Sequence, residues 1–379
     1  MNTIDLRQTS RPLSALSKAN DPWDPIRSLQ KYGRHRLTSV EMTVSNLCNM
    51  RCEHCAVGDT LVISEPAKLP LKQMLDRLEE VEHLETISIT GGEPSFSDRT
   101  VRDYMVPLLQ YARSRGIRSQ INSNVTLPYS RYEQLAPYLD VMHISFNYTS
   151  PEDFHQIGFA KAGHHVSLEA ATRLYERMIE NARRLSETGV LVSAESMINY
   201  RTHNKIDEIH KLIVEMGCQR HEVHPMYPSS FAKDLPVLSR EQMLEAIKRL
   251  LQARDQSVWM LFGTLPFYQC SDNLSERMLL RRLANEPNVS VRNDPDGRNR
   301  LNVNLFTGDV FVTDFSDVPA FGNISSSKLE DLFEKWLDHS LSQSVNCHCP
   351  AAACCGPNLL VKDMYYKDVN FHERNAVID

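Results

Sequence analysis

The chain has 379 residues, 41% of them hydrophobic and 24% charged, with a formal net charge of −6. That is the profile of an ordinary globular protein with length for one large or two medium domains, and its mild acidity argues against nucleic acid or an anionic membrane as a partner. No apolar run reaches membrane-spanning length, Met1–Arg7 has no apolar signal core, and nine cysteines then point to a reducing, cytoplasmic setting and to metal binding in place of disulfides.

Residues 1–38 are a polar lead-in with Pro12, Pro22 and Pro25 and one short helix over 25–32. From 39 to about 228 the chain repeats a strand-then-helix rhythm. Strands are predicted over 39–45, 86–90, 118–124, 139–147, 190–198 and 220–227. Amphipathic helices are predicted over 69–82, 99–115, 129–137, 167–188 and 205–217; Leu71, Met74, Leu75, Leu78 and Val81 recur at helical spacing. Such repetition implies parallel strands joined by right-handed crossovers. A parallel sheet covered on both faces is apolar on both. Here Glu41, Thr43 and Ser45, then Gln120, Asn122 and Asn124, then His143, Ser145 and Asn147 give one face a polar character. Helices therefore cover the apolar face, and the polar face lines a lumen open at the strands' C-terminal ends.

Two of these strand ends carry chemistry. The first leads into Cys48-Asn49-Met50-Arg51-Cys52-Glu53-His54-Cys55. Three thiolates on one short loop can hold three irons of a [4Fe–4S] cluster and leave the fourth iron open to a small molecule. Zinc is the alternative, with His54 as the nearby fourth ligand. The second strand ends in Gly91-Gly92-Glu93-Pro94, a tight turn whose backbone can approach a ligand closely. In Arg220-His221-Glu222-Val223-His224, Glu222 and His224 point the same way along a strand and are candidates for acid–base work in a substrate pocket.

Beyond 235 the pattern is helical to about 285. Leu301–Leu305 and Val310–Val312 then flank Thr307-Gly308-Asp309 as a hairpin, and a helix is predicted over 326–341. The last block is Cys347-His348-Cys349-Pro350-Ala351-Ala352-Ala353-Cys354-Cys355. Cys347, Cys349 and Cys354 with the distant Cys270 make four ligands for a second cluster, or for a structural zinc ion. Cys355 is a spare thiol or alternative ligand, and Cys218 reads as a small buried hydrophobe.

The cysteine loop and the Gly-Gly-Glu-Pro turn together resemble the radical S-adenosylmethionine (radical SAM) superfamily. The ends of the chain resemble its YfkAB-type members with a Cys-x-Cys-x4-Cys tail, and the C-terminal block is similar to SPASM and Twitch extensions. The resemblance implies an α/β fold: a six-stranded partial (β/α)6 TIM-like barrel over 39–234 with a smaller α+β auxiliary-cluster domain over 235–379. It implies that Cys48, Cys52 and Cys55 hold the cluster that reduces SAM and that Gly91, Gly92, Glu93 and Pro94 bind its methionine end. It places Asn124, Ser145 and Ser196 at strand ends that contact ribose or carboxylate, with Asn147 on the Ser145 face. Ser123-Asn124-Val125 departs from the commoner Thr-Asn-Gly, and Thr313-Asp314 stands where SPASM domains often carry a cysteine. The implied reaction is hydrogen abstraction by a SAM-derived radical from an unidentified peptide or small molecule, with an external electron donor such as flavodoxin or ferredoxin. The alternative from another class is a non-catalytic iron–sulfur or zinc protein of assembly or sensing.

Overall fold

The computed structural model describes residues 15–313, 318–345, 347 and 354–374. One sheet holds β1 (Ser39–Ser45), β2 (Thr86–Gly91), β3 (Arg118–Ser123), β4 (Val141–Ser145), β5 (Leu191–Ile198), β6 (Arg220–Pro225), β7 (Trp259–Gly263), β8 (Val289–Arg292), β9 (Arg300–Asn304), β10 (Asp309–Phe311) and β11 (Gly322–Asn323). Their spatial order is β11-β10-β9-β1-β2-β3-β4-β5-β6-β7-β8, so the sheet is not closed. Pairing is parallel from β9 across to β8, and β10 and β11 add an antiparallel edge. Helices such as Leu168–Ser186, N-capped by Ser167, return the chain between strands. Among the described residues no helix is long and apolar enough to cross a membrane.

All six strands expected between 39 and 227 are present, the fourth shortened to Val141–Ser145. The sheet is wider than expected, because β7 lies where 235–285 was read as helical. Val258-Trp259-Met260-Leu261-Phe262 is a continuous apolar run, buried throughout. Without alternation it carries no strand period. The hairpin at Thr307-Gly308-Asp309 forms as β9 and β10, but β9 pairs in register with β1, Leu301 opposite Val40. Part of the segment 235–379 therefore completes the barrel sheet.

The two faces differ as the alternation requires. Val40, Met42, Ile87, Ile121, Ile144 and Val192 have no exposed surface and pack in the main hydrophobic core. The other face curls on itself. Arg220 on β6 donates to Gln120 Oε1 on β3 at 3.3 Å, with β4 and β5 between them. Such reach across two strands exists only on the concave side of a barrel. The lead-in closes the seam between β8 and β9. Asp21 pairs with Arg292 at 3.0 Å, Trp23 Nε1 donates to Ser88 Oγ on β2 at 3.2 Å, and Asn299 donates to the Trp23 carbonyl at 3.3 Å. An apparently idle polar segment thus forms part of the lumen wall.

Candidate active site

The chain leaves β1 into a loop gripped from several sides. Glu65 Oε1 accepts from Ser45 Oγ at 2.7 Å, Asn46 N at 2.6 Å and Leu47 N at 3.2 Å, and its other oxygen pairs with Lys68 at 2.9 Å. Burial opposes the Glu65 charge, but the hydrogen bonds from Ser45 and Lys68 outweigh it and hold the carboxyl below its usual range. Within the motif, Glu53 forms a two-point ion pair with Arg201 just beyond β5, at 2.5 and 3.0 Å, and accepts from Tyr200 at 3.1 Å. The backbone of Arg51 and Glu53 donates to Gly158 and Ile157 at the end of the helix Pro151–Gly158. A Cβ on Gly158 would meet the flexible end of Met50, which packs against this glycine.

Cys48, Cys52 and Cys55 are partly buried on this loop. Burial pushes the Cys48 thiol up to about 12 and raises Cys52 and Cys55, and the Arg51 guanidinium acts on Cys48 and Cys55 in the opposite sense. Cys48 Sγ accepts from Met50 N at 3.4 Å. His54 is buried, and burial lowers its pKa, so its ring is neutral. Asn147 Nδ2 lies 3.4 Å from His54 Nε2, while His54 Nδ1 has no partner among the described residues.

The turn after β2 is sewn to this loop. Gly92 N donates to Ser45 O at 2.6 Å and Glu93 N to Leu47 O at 2.7 Å. Gly91 has φ +143°, and a Cβ on it would overlap the Ser45 carbonyl; one on Gly92 would overlap that of Leu47. Both glycines are therefore dictated by close backbone approach. Pro94 opens a single 3-10 turn. Glu93 is fully buried, and Ser95, Ser123 and the Asn124 backbone all donate to its carboxylate. Burial raises its pKa despite them. Its side chain is a brace between the β2 and β3 ends, which leaves the backbone of the turn as its ligand-facing part.

Asn124 donates to Asn49 Oδ1 at 3.0 Å and lies 3.9 Å from Cys48 Sγ, which puts it beside the cysteine loop. Val125, where glycine is commoner, has φ +45°. Ser145 ends β4 exposed on the lumen side, opposite Glu195. Asn147 is buried and bridges His54 to Met197 N, to which its Oδ1 is bonded at 2.7 Å. Ser196 lies on the opposite face of β5. Its hydroxyl is fully buried and donates to the Phe146 carbonyl at 2.6 Å, one residue out of phase with the lumen-facing Glu195.

Deeper in the lumen, Glu222 accepts from His224 Nε2 at 2.8 Å and from Arg292, and Arg220 stands 3.3 Å from its other oxygen. Burial disfavours the Glu222 charge, but Arg292 and Arg220 hold its pKa well below the usual range. Burial likewise opposes a charge on His224, yet the bond to Glu222 raises its pKa above the ordinary histidine value. Gly263 leaves room for this ring, since a Cβ there would overlap it. His143 joins the set, 3.1 Å from Glu195 and 3.2 Å from Ser193. His143, Glu195, Arg292, Glu65 and the Glu53–Arg201 pair were not singled out as site residues. For His143 the alternation was the available signal; the others depend on contacts between distant segments.

Cys270, Cys347 and Cys354 pack together against Tyr227, Tyr268, Val361, Tyr366 and Phe371. Burial pushes the Cys354 thiol up to about 12, and Cys347 and Cys270 act on it in the same direction. Cys354 Sγ accepts from Gly356 N at 3.4 Å and Asn293 Nδ2 at 3.5 Å. Cys349 and Asp314 lie outside the described residues. Cys355 is buried beside Arg298, and Cys218 sits in the core.

Among the described residues no three His, Cys, Asp or Glu side chains close on a single metal ion. A [4Fe–4S] cluster does not ask that, because each iron takes its own thiolate. The donors at Cys48, Cys52 and Cys55, the orphaned His54 Nδ1 beside them and the two-glycine turn fit a cluster with SAM on it.

The chain matches the Radical SAM superfamily over residues 42–213 and the YfkB-like domain over residues 226–376. It is 54% identical over 357 residues to YfkA of Bacillus subtilis (strain 168), covering 94% of this chain and 96% of that one. Streptococcus suis SuiB bound to precursor peptide SuiA is similar in fold, with a TM-score of 0.57 at 14% identity over 92% of this chain and 79% of that chain. So is native anSMEcpe with bound AdoMet and Cp18Cys peptide, with a TM-score of 0.54 at 16% identity over 78% of this chain and 80% of that chain.

Proposed function

The chain belongs to the radical SAM superfamily, carries a YfkB-like domain and is an enzyme of SAM-dependent radical chemistry; on that premise we propose that Cys48, Cys52 and Cys55 hold the [4Fe–4S] cluster at which SAM is cleaved. When bound, the reduced cluster supplies one electron that splits a carbon–sulfur bond of SAM, giving methionine and a 5′-deoxyadenosyl radical that takes a hydrogen atom from the substrate. The observation that carries this reading is the double backbone bond from Gly92 and Glu93 to Ser45 and Leu47. It fixes the turn against the cysteine loop at the mouth of a polar lumen, so one rigid unit presents both thiols and exposed backbone.

In this reading Gly91, Gly92 and Pro94 shape the backbone that meets the methionine end of SAM. Asn124 and Ser145 face the rest of it, while Asn147 and Glu93 hold the elements in place. His224, whose pKa the bond to Glu222 raises, stands on the lumen side as a candidate proton carrier. The middle of the lumen is filled by paired side chains, Arg220 with Glu222 and His143 with Glu195. The substrate is therefore a group presented at the mouth, a peptide side chain or a small molecule. The two peptide-bound neighbours of similar fold support the peptide class. Cys270, Cys347, Cys349 and Cys354 hold an auxiliary iron–sulfur cluster.

The test is anaerobic turnover of the reconstituted, reduced protein with SAM. It releases 5′-deoxyadenosine and methionine, and Cys52→Ala abolishes both while leaving circular dichroism unchanged. Persistent absence of 5′-deoxyadenosine from protein with an intact, reduced cluster would overturn the catalytic reading.

A further inference from the structure

We propose that Glu195 receives the positive end of the substrate, an alkylammonium or guanidinium group of the kind that a lysine or arginine side chain or a small amine carries. The proposal rests on the reading that SAM is cleaved at the cysteine loop and that the substrate is presented at the lumen mouth.

The position follows from the sheet register. Glu195 stands on β5 opposite Ser145, the exposed last residue of β4, and so faces the lumen near its mouth. Its side chain keeps 26% of its surface exposed, where Glu222 on the next strand keeps 3%. Two residues further on, Met197 N donates to Asn147 Oδ1 at 2.7 Å, and Asn147 reaches His54 at 3.4 Å. His54 directly precedes Cys55, and the Glu195 charge acts on its ring. The carboxylate therefore stands beside the cysteine loop.

A chain of hydrogen bonds decides which of its oxygens is free. Arg220 Nε donates to Ser193 Oγ at 2.7 Å, which leaves the Ser193 proton for His143 Nδ1 at 3.2 Å. His143 then carries its own proton on Nε2 and gives it to Glu195 Oε2 at 3.1 Å. Glu195 Oε1 has no partner among the described residues.

The charge on Glu195 is also the one left over. Of the other lumen-facing carboxylates on the parallel strands, Glu222 meets Arg292 and Arg220, and Glu41 lies 3.4 Å from Arg300. Asp21 and Asp294 answer Arg292 and Arg300, each at 3.0 Å. Among the described residues no arginine or lysine pairs with Glu195, whose one ionisable partner is His143. The cations nearby are committed elsewhere: Arg220 to Glu222 and Ser193, Arg201 to Glu53 at two points, and His224 to Glu222 at 2.8 Å. Burial opposes a charge on Glu195, but the bond from His143 holds its carboxyl below the usual range. A partly buried carboxylate with one free oxygen and no fixed cation is preorganised for one positively charged hydrogen-bond donor.

The test uses anaerobic holoenzyme with SAM bound and two pairs of probes that differ in charge. These are Nα-acetyl-arginine amide against Nα-acetyl-citrulline amide, and Nα-acetyl-lysine amide against Nα-acetyl-norleucine amide. Ligand-observed NMR titration gives the affinities. Wild type binds each charged probe roughly tenfold more tightly than its neutral partner, the scale of one charge-assisted hydrogen bond, and the gap narrows at high salt. Glu195→Gln, which still accepts from His143, loses the preference, while Glu245→Gln on an exposed helix face keeps it. Circular dichroism and iron content confirm that both variants are folded and loaded. A wild type without the preference, or a Glu195→Gln variant that retains it, would overturn the proposal. So would a Glu195→Gln variant that binds SAM more weakly but S-adenosylhomocysteine as before, because the carboxylate would then face the sulfonium of SAM. The cluster reading is judged separately: it falls if loaded, reduced wild type releases no 5′-deoxyadenosine from SAM.

Discussion

The Glu93 carboxylate and the Ser123 hydroxyl meet at 2.9 Å in a place where Glu93 has no exposed surface. One bond ties the turn after β2 to the end of β3. Ser95 and the Asn124 backbone donate to the same carboxylate. The acid of the Gly-Gly-Glu-Pro turn thus acts by fixing the two strand ends that flank the cysteine loop.

Glu93→Gln keeps the shape but turns an amide N–H2 toward one of those donors. It should cost about 1–3 kcal/mol in urea unfolding, the scale of a buried donor left unpaired. SAM affinity should fall with it, because the Gly92 and Asn124 backbones shift together. Wild-type stability in this variant would refute the brace.

What was legible in the sequence follows from what is local. Six strands were read correctly because one face is polar at every second residue, as in Gln120 and Asn122. β7 was missed because Trp259–Gly263 is apolar on both faces, its lumen side packed by Trp259 and Leu261. The pairing of β9 with β1 joins residues far apart in the chain, and no turn signal reports on it. Ser196 was placed by its position near a strand end. Parity, available from the neighbouring Glu195, would have turned it outward. Val125 shows why glycine is commoner there: at φ +45° a β-branched residue is strained.

Trp23 makes a separate prediction about the lead-in. It is 8% exposed and bonded through Nε1 to Ser88 inside the lumen. Trp23→Phe should cost about 1 kcal/mol, the lost hydrogen bond. Trp23→Ala should cost about 3–5 kcal/mol, because the seam beside β9 is left with a cavity. Urea unfolding followed by circular dichroism separates the two. Equal, small losses would mean that the lead-in is not part of the barrel wall.

The helix Ile206–Glu215 and β6 share a buried histidine pair, with His210 Nδ1 3.0 Å from His221 Nδ1. The Asp255 backbone donates to His210 Nε2 at 3.0 Å, so the His210 proton sits on Nδ1 and is shared with His221. Burial lowers His210 to about 4 and His221 well below its ordinary value, with the His210 ring adding to the latter shift. The unfolded chain binds protons on both rings below about pH 6.5 while the folded one resists. The pair's contribution is therefore complete above about pH 6.5 and lost as pH falls toward about 4. Between about pH 7.5 and about pH 5.5, stability should drop by roughly 1–3 kcal/mol, with a smaller drop in His210→Gln. A pH-independent urea midpoint in the wild type would contradict this.

The last prediction concerns the C-terminal cysteines. Cys270, Cys347 and Cys354 share one aromatic pocket with Tyr227, which follows β6, and Asn293, which follows β8, donates to Cys354. That places them at the lumen mouth across from the loop after β1, at a distance in the sheet of several strands. The two thiol sets are built from separate elements and should load separately. Wild-type protein should carry about eight irons as two [4Fe–4S] centres. Replacing Cys347, Cys349 and Cys354 together by Ala should leave about four, with some SAM cleavage retained, because the first set keeps every ligand on its own loop. Metal analysis decides the matter. About four irons and one tightly bound zinc in the wild type would make the C-terminal site structural, and an electron-accepting role for it would fall while the cysteine loop after β1 kept its own.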